Sequence, residues 1–247
     1  MRKYFDLTNP LWRYSPKTPF HMPPNNEVEF FENTPLVRTG ILSQGIRVSL
    51  HYGTHIDSPR HFGYPMTLDA IPLETLCGTG VVLDIKRDDW GIVTGEDLAK
   101  ASPSIQNGDR VVLNTGWHRF FDDDPERYML RWPGLDKSGV DWLVEKRVSW
   151  VGSDTPSPQH CLGMSDNFKG IRPDLWTAEL IAGIDPKKFP GQHYCHKTLL
   201  KNNIPLIEQV GGSIDDVTGK RVTLMALPPK YKYAEASQVR VIAIEET

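Results

Sequence analysis

Short apolar runs rich in β-branched residues recur from Gly40 onward, at 45–51, 80–85, 110–115, 148–153, 204–210, 221–227 and 238–245. Several are nearly continuous, which predicts strands buried on both faces rather than strands alternating between core and water. Between them the pattern turns helical. Thr94-Gly-Glu-Asp97 has the capping-box spacing and opens a helix toward Ser102. Ser138 precedes Val140, Leu143 and Val144, which share one helical face, and so predicts a capped helix there. His193 to Asn202 reads as another helix, closed by Asn202-Asn203. Strands alternating with helices imply an α/β fold around a mixed, largely buried sheet, built as one domain over 1–247. The first 40 or so residues carry Trp12, Tyr14, Pro16, Pro19, Phe20, Pro23, Pro24, Phe30 and Phe31. That segment is too apolar for a disordered tail, and it is expected to be an extended arm packed on the body or on a neighbouring subunit.

Composition narrows the partners. With 247 residues, 39% hydrophobic and 24% charged, the chain can bury a substantial core. A net charge of −3 without a basic tract argues against nucleic acid. No apolar run approaches the roughly 18 residues of a membrane span, and the charged start lacks a signal-peptide core, so cytoplasmic residence is expected. Three cysteines without a C-x-x-C pair suggest reduced thiols. Cys195 beside His196 is a poor nucleophile pair, because neighbours on a helix diverge by about 100°. Asp122-Asp123-Asp124 lacks the glycine and distal glutamate of a calcium loop and reads as a solvated loop.

The chemistry concentrates in His51-Tyr-Gly-Thr-His55-Ile-Asp57-Ser-Pro-Arg-His61. Two imidazoles and a carboxylate at 51, 55 and 57 supply the nitrogens and hard oxygen that Zn²⁺ or Mn²⁺ prefers, and His61 remains to move protons. On a straight strand, 51 and 57 would stand roughly 20 Å apart, whereas donors to one ion lie within about 4 Å. The chain must therefore curl, and Gly53-Thr54 is the cheapest place. The expectation is a strand over 45–51 ending in a tight loop that wraps the metal. His196 and Glu208 form a second pair. A helix rising about 9 Å from His196 and a strand returning about 13 Å to Glu208 nearly cancel. Glu208, among Ile204, Leu206 and Ile207, needs a cation or a hydrogen-bond partner. A closed structural metal site would have no need of His61. No G-x-S-x-G elbow or complete dinucleotide fingerprint competes with metal-assisted hydrolysis. The aromatic arm, Trp12 and Phe20 included, suits a flat aryl or cyclic substrate.

The pattern His51-x-Gly-Thr-His55-x-Asp57-x-Pro-x-His61 resembles the signature of the metal-dependent cyclase-like hydrolases, a group that includes bacterial kynurenine formamidase and isatin hydrolase. Asp6-Leu-Thr-Asn-Pro10-Leu, Thr115-Gly-Trp117, Gly152-Ser-Asp154-Thr-Pro156-Ser157, His196 with Glu208, and Val239 to Ile244 extend the likeness over most of the chain. The resemblance implies a swivelling β/β/α arrangement and a homodimer or homotetramer. It implies one or two Zn²⁺ or Mn²⁺ ions on His51, His55, Asp57, His196 and Glu208, with His61 as acid/base. Thr115, Trp117 and Ser157 would join Trp12 and Phe20 around a small-molecule substrate. The implied reaction opens the amide of an aryl formamide or cyclic amide or imide; opening of a lactone is the alternative. This chain departs from the group in enlarged stretches at about 117–135 and 158–190, in Pro158-Gln159, and in Gln209 where asparagine is common.

Overall fold

The structure, a computed structural model, describes residues 1–11, 28–164, 174, 185 and 187–246. Trp12, Tyr14 and Phe20, and most of the enlarged 158–190 stretch, lie outside the described residues. The strands in chain order are β1 (Arg2–Asp6), β2 (Glu29–Thr34), β3 (Ser43–Arg47), β4 (His55–Asp57), β5 (Cys77–Asp84), β6 (Ile92–Val93), β7 (Arg110–Asn114), β8 (Gly134–Leu135), β9 (Trp150–Ser153), β10 (Leu206–Glu208), β11 (Lys220–Leu227), β12 (Ala236–Gln238) and β13 (Arg240–Glu246). Nine of them form one sheet in the order β1-β13-β11-β5-β7-β9-β10-β4-β12. The four central strands β5, β7, β9 and β10 run parallel, and antiparallel strands flank them on both sides. The mixed α/β architecture is the one that the strand–helix alternation predicts.

The central strands are buried on both faces, as their continuous apolar runs require. Val82, Val112, Trp150 and Ile207 point into one core cluster, while Val81, Leu83, Val111, Leu113, Val151 and Leu206 point into another. The second cluster is closed by Leu98, Val140, Leu143, Leu199 and Leu200 from three helices. Helix Gly95–Lys100 carries the full capping box: the Thr94 side chain accepts from Asp97 N, and Asp97 accepts from Thr94 N. A helix spans Lys137–Glu145, but its cap is Asp136, whose carboxylate accepts from Gly139 N. Ser138 lies inside the first turn, where its hydroxyl donates to Asp136 and accepts from Gly95 N. Helix Tyr194–Lys201 falls between His193 and Asn202, as expected. The enlarged 117–135 stretch is packed rather than open. Trp117, Phe121, Tyr128, Met129, Leu130 and Trp132 build a third cluster with Cys161 and Met164.

One expectation fails at the N-terminal side. The strand predicted over 45–51 is Ser43–Arg47, and it pairs with β2 in a separate hairpin instead of entering the main sheet. Within the expected arm, Arg2–Asp6 is an edge strand paired with β13. Asp124 of the acidic run caps the helix Pro125–Leu130 by accepting from Arg127 N. The three cysteines are free, and burial holds the Cys195 thiol above its ordinary range, which removes it as a nucleophile.

Candidate metal centre

β4 is three residues long and lies between β10 and β12, with His55 opposite Glu208 and Asp57 opposite Leu206. Side chains alternate along a strand, so His55 and Asp57 share a face while Ile56 enters the core on the other. Glu208, directly across from His55, projects to the same face at the C-terminal end of a parallel strand, where open α/β sheets place ligands. His51 joins them because the chain turns over 50–54, with Gly53 in the left-handed region at φ 68°. The curl falls where the sequence predicts it, although it leads into the strand β4 and not into a loop. Pro59–Phe62 is a 3₁₀ turn that carries His61 back over Asp57. His196 comes from the buried side of helix Tyr194–Lys201, alongside Leu199 and Leu200.

The distances are those of one cluster. His55 Nε2 lies 3.5 Å from Asp57 Oδ1 and 3.3 Å from Glu208 Oε2. His196 Nε2 lies 3.2 Å from Glu208 Oε1 and 4.0 Å from Asp57 Oδ2. His51 Nδ1 is 2.9 Å from Asp57 Oδ1, and His61 Nε2 is 3.9 Å from Asp57 Oδ2. Among the described residues, ligand atoms of His55, Asp57 and Glu208 all fall within 4.8 Å of one another, as do those of His51, Asp57 and His61. Asp57 belongs to both groups. His51, His55, Asp57, His61, His196 and Glu208 are thus brought together.

Tautomers decide what the cluster lacks. His55 Nδ1 faces only the Gly53 carbonyl, at 2.8 Å, so it donates and leaves a lone pair on Nε2. His196 Nδ1 faces Gln159 Oε1 at 3.2 Å, which again leaves Nε2 bare toward Glu208. Lone pairs then converge on carboxylate oxygens. His55 Nε2, both oxygens of Asp57 and Oε1 of Glu208 are buried without a hydrogen-bond partner. Four orphaned acceptors at one point are unfavourable unless a cation stands among them. The donor set fits a divalent ion: imidazole nitrogens and hard carboxylates in a buried cluster. Burial would depress His51, but the Asp57 and Glu235 carboxylates raise it to about 11. Burial likewise opposes ionisation of Glu208, yet the imidazoles of His196 and His55 beside it hold it far below the usual carboxylate range.

Three residues at the site have no local sequence signal. Glu235, just ahead of β12, accepts from His51 and His61. Gln159 orients His196, and Phe62 lays its ring 5.0 Å from that of His61 and 5.4 Å from that of His196. A glutamine among polar residues and a phenylalanine after a histidine look ordinary in a sequence. Thr115, Trp117 and Ser157 are buried, with their polar groups engaged outside the cluster. Thr115 donates to Asp154, Trp117 Nε1 donates to the Tyr128 carbonyl, and Ser157 Oγ accepts from Gln159 N.

The family model described as "Putative cyclase" matches residues 5–160. The chain belongs to that cyclase family. The matched span holds His51, His55, Asp57 and His61, while His196, Glu208 and Glu235 lie beyond it. Among curated relatives, kynurenine formamidase of Bordetella petrii is 27% identical over 247 residues, covering 99% of each chain. Kynurenine formamidase of Erythrobacter litoralis is 28% identical over 200 residues, 80% of this chain and 74% of the relative. Isatin hydrolase A from Ralstonia solanacearum superposes with a TM-score of 0.76 at 19% identity, covering 99% of this chain and 92% of the other. That last likeness concerns the fold.

Proposed function

We propose that the protein is a divalent-metal-dependent amidohydrolase that opens the C–N bond of a small aryl formamide or of a cyclic amide or imide. The observation that carries this is the set of orphaned buried acceptors on His55, Asp57 and Glu208, beside an imidazole that solvent reaches. His55, His196, Glu208 and Asp57 would hold one Zn²⁺ or Mn²⁺, and His51 on the other side of Asp57 would complete it or hold a second. Such an ion, when bound, lowers the pKa of water toward neutrality and polarises a carbonyl. Asp57 and Glu208 anchor the charge. His61, with its side chain 22% exposed against 1% for Asp57, stands at the boundary between the buried cluster and solvent. Its Nε2 takes the proton of the attacking water and returns it to the departing nitrogen, which as an amide leaving group requires one. Phe62 offers a flat apolar wall beside His61 and suits an aryl or fused-ring substrate. Kynurenine formamidases among the relatives, and isatin hydrolases among the fold neighbours, support a C–N bond outside peptides as the target.

A panel of an aryl formamide, isatin and an unsaturated lactone tests this, run on chelator-stripped and Zn²⁺- or Mn²⁺-reloaded protein. Metal-dependent opening of the formamide or isatin is expected. Opening of the lactone alone, or turnover indifferent to chelation, overturns the reading.

The same proposal includes a homodimer built on the β2–β3 hairpin. Phe30, Phe31, Leu36, Val37, Ile41, Leu42 and Ile46 are all exposed there, Val37 at 99%. A two-stranded hairpin is marginal alone, and this many exposed apolar side chains on it need a cover. Seven large side chains offer area of the order of the 800 Å² per partner that a stable interface buries. Sedimentation is expected to show a dimer that Phe31→Glu with Val37→Glu dissociates; a wild-type monomer contradicts it.

A further inference from the structure

The cluster has a second carboxylate on its outer side. Glu235 Oε2 lies 2.8 Å from His61 Nδ1 and 2.9 Å from His51 Nε2, and Oε1 is 3.1 Å from the same His51 nitrogen. Each ring turns its other nitrogen to Asp57: His51 Nδ1 at 2.9 Å and His61 Nε2 at 3.9 Å. The rings lie 4.4 Å apart between centroids, so two imidazoles stand between two carboxylates. We propose that Glu235 is a shared positioning residue that fixes the tautomer and orientation of His51 and His61 together, coupling the metal-holding imidazole to the proton-moving one.

A carboxylate only accepts, so both ring nitrogens facing Glu235 carry hydrogen. That leaves His51 Nδ1 for a metal and His61 Nε2 for a proton, and neither ring can flip without losing its bond. Outer carboxylates of this kind set the tautomer and basicity of ligating histidines. The position of Glu235 is itself held. Its backbone carbonyl accepts from Ser58 N at 2.9 Å and from Ser58 Oγ at 2.8 Å, immediately after Asp57. Its side chain is 36% exposed and could extend into water, yet it turns inward onto both rings. One oxygen serving two histidines means that one substitution loosens both.

This inference rests on the metal-dependent reading, and the experiment separates the two. Stripped wild-type, Glu235→Leu and Glu235→Gln proteins are titrated with Zn²⁺ by calorimetry, and the histidine ring nitrogens are followed by ¹⁵N NMR in the zinc-loaded state. The leucine keeps the volume and removes the acceptor; the glutamine keeps one acceptor oxygen and guards against a leucine variant that fails to fold. Glu235→Leu is expected to bind Zn²⁺ about 10- to 100-fold more weakly, with kcat reduced in the same range and KM little changed. Its His51 and His61 tautomers become mixed, whereas the wild type carries hydrogen on His51 Nε2 and His61 Nδ1. Glu235→Gln falls between the two, while the thermal midpoint of each stripped variant stays near that of wild type. Unchanged zinc affinity with unchanged tautomers in both variants overturns the inference. If wild-type protein takes up no Zn²⁺, the metal-dependent reading falls instead, and whether the His51 and His61 rings keep their orientation in the ion-free variants still decides the role of Glu235.

Discussion

Two buried acidic centres lie near the C-terminal ends of the parallel strands, and they are built on opposite terms. Around Asp154 the chain supplies every partner. Thr115 N and Oγ1 donate to one carboxylate oxygen, and Trp117 N, His118 N and His118 Nδ1 lie within bonding distance of the other. Around Asp57 the chain supplies only imidazole nitrogens at 2.9 to 4.0 Å, and both carboxylate oxygens are left without a hydrogen bond. Each aspartate is 99% or more buried. What separates them is satisfaction, not burial. A carboxylate saturated by backbone N–H groups is a structural fastening, while one surrounded by acceptors is a place prepared for a cation.

Substitution at the two centres breaks the comparison if it is wrong. The largest effect is expected from Asp57→Asn, which removes the carboxylate shared by both ligand groups. Elemental analysis should find no retained ion and turnover should drop to background, with the circular dichroism of the fold preserved. An active, metal-loaded Asp57→Asn protein would mean that the cation sits elsewhere. His61→Ala comes next, lowering turnover by about 10²–10⁴ while metal content stays at the wild-type level. Undiminished turnover in that variant would remove His61 from the proton path. Asp154→Asn reverses the signature. It should destabilise the fold by about 1–3 kcal/mol in urea, because buried donors lose their acceptor, and leave Zn²⁺ affinity unchanged. A loss of metal affinity without a loss of stability would show that the two centres are not distinct.

The last expected effect appears only in acid and concerns His160, another satisfied polar group. Burial pulls its imidazole down from 6.5 to about 4, against the opposing hydrogen bond to the Trp90 carbonyl. Between those values the unfolded chain binds a proton that the folded chain refuses. The neutral ring's contribution is therefore fully present above about pH 6.5 and is lost as pH falls toward 4, by about 3 kcal/mol in all. Urea melts from pH 7 to pH 4.5 should show a shallower decline for His160→Gln than for wild type. Parallel declines would place the acid sensitivity in other groups.

Much of the candidate centre is legible in the sequence because its first members are local. His51, His55, Asp57 and His61 fall within eleven residues, and a strand bounded by Gly53 and a proline turn forces them together. His196 and Glu208 are readable through arithmetic: a short helix and a short return strand cancel, and the two side chains meet at 3.2 Å. Glu235 is not readable this way. It reaches His61 across 174 residues through the pairing of β4 with β12, and pairing at that separation leaves no periodic trace. The strand expected at 45–51 fails for a related reason. An apolar run marks surface that wants burial without saying whether this chain's own sheet supplies it, and β2 with β3 keeps that surface exposed. Gln209, at φ 58°, holds the left-handed turn after Glu208 that asparagine or glycine would hold with less strain.

Calorimetric titration of chelator-stripped wild-type protein with Zn²⁺ and with Mn²⁺ tests the central claim most directly. Saturable binding of one or two ions per chain, with protons released and hydrolysis of an amide substrate restored in step, is the predicted result. Ion-free protein that takes up neither metal and still turns over its substrate at the full rate would contradict the account.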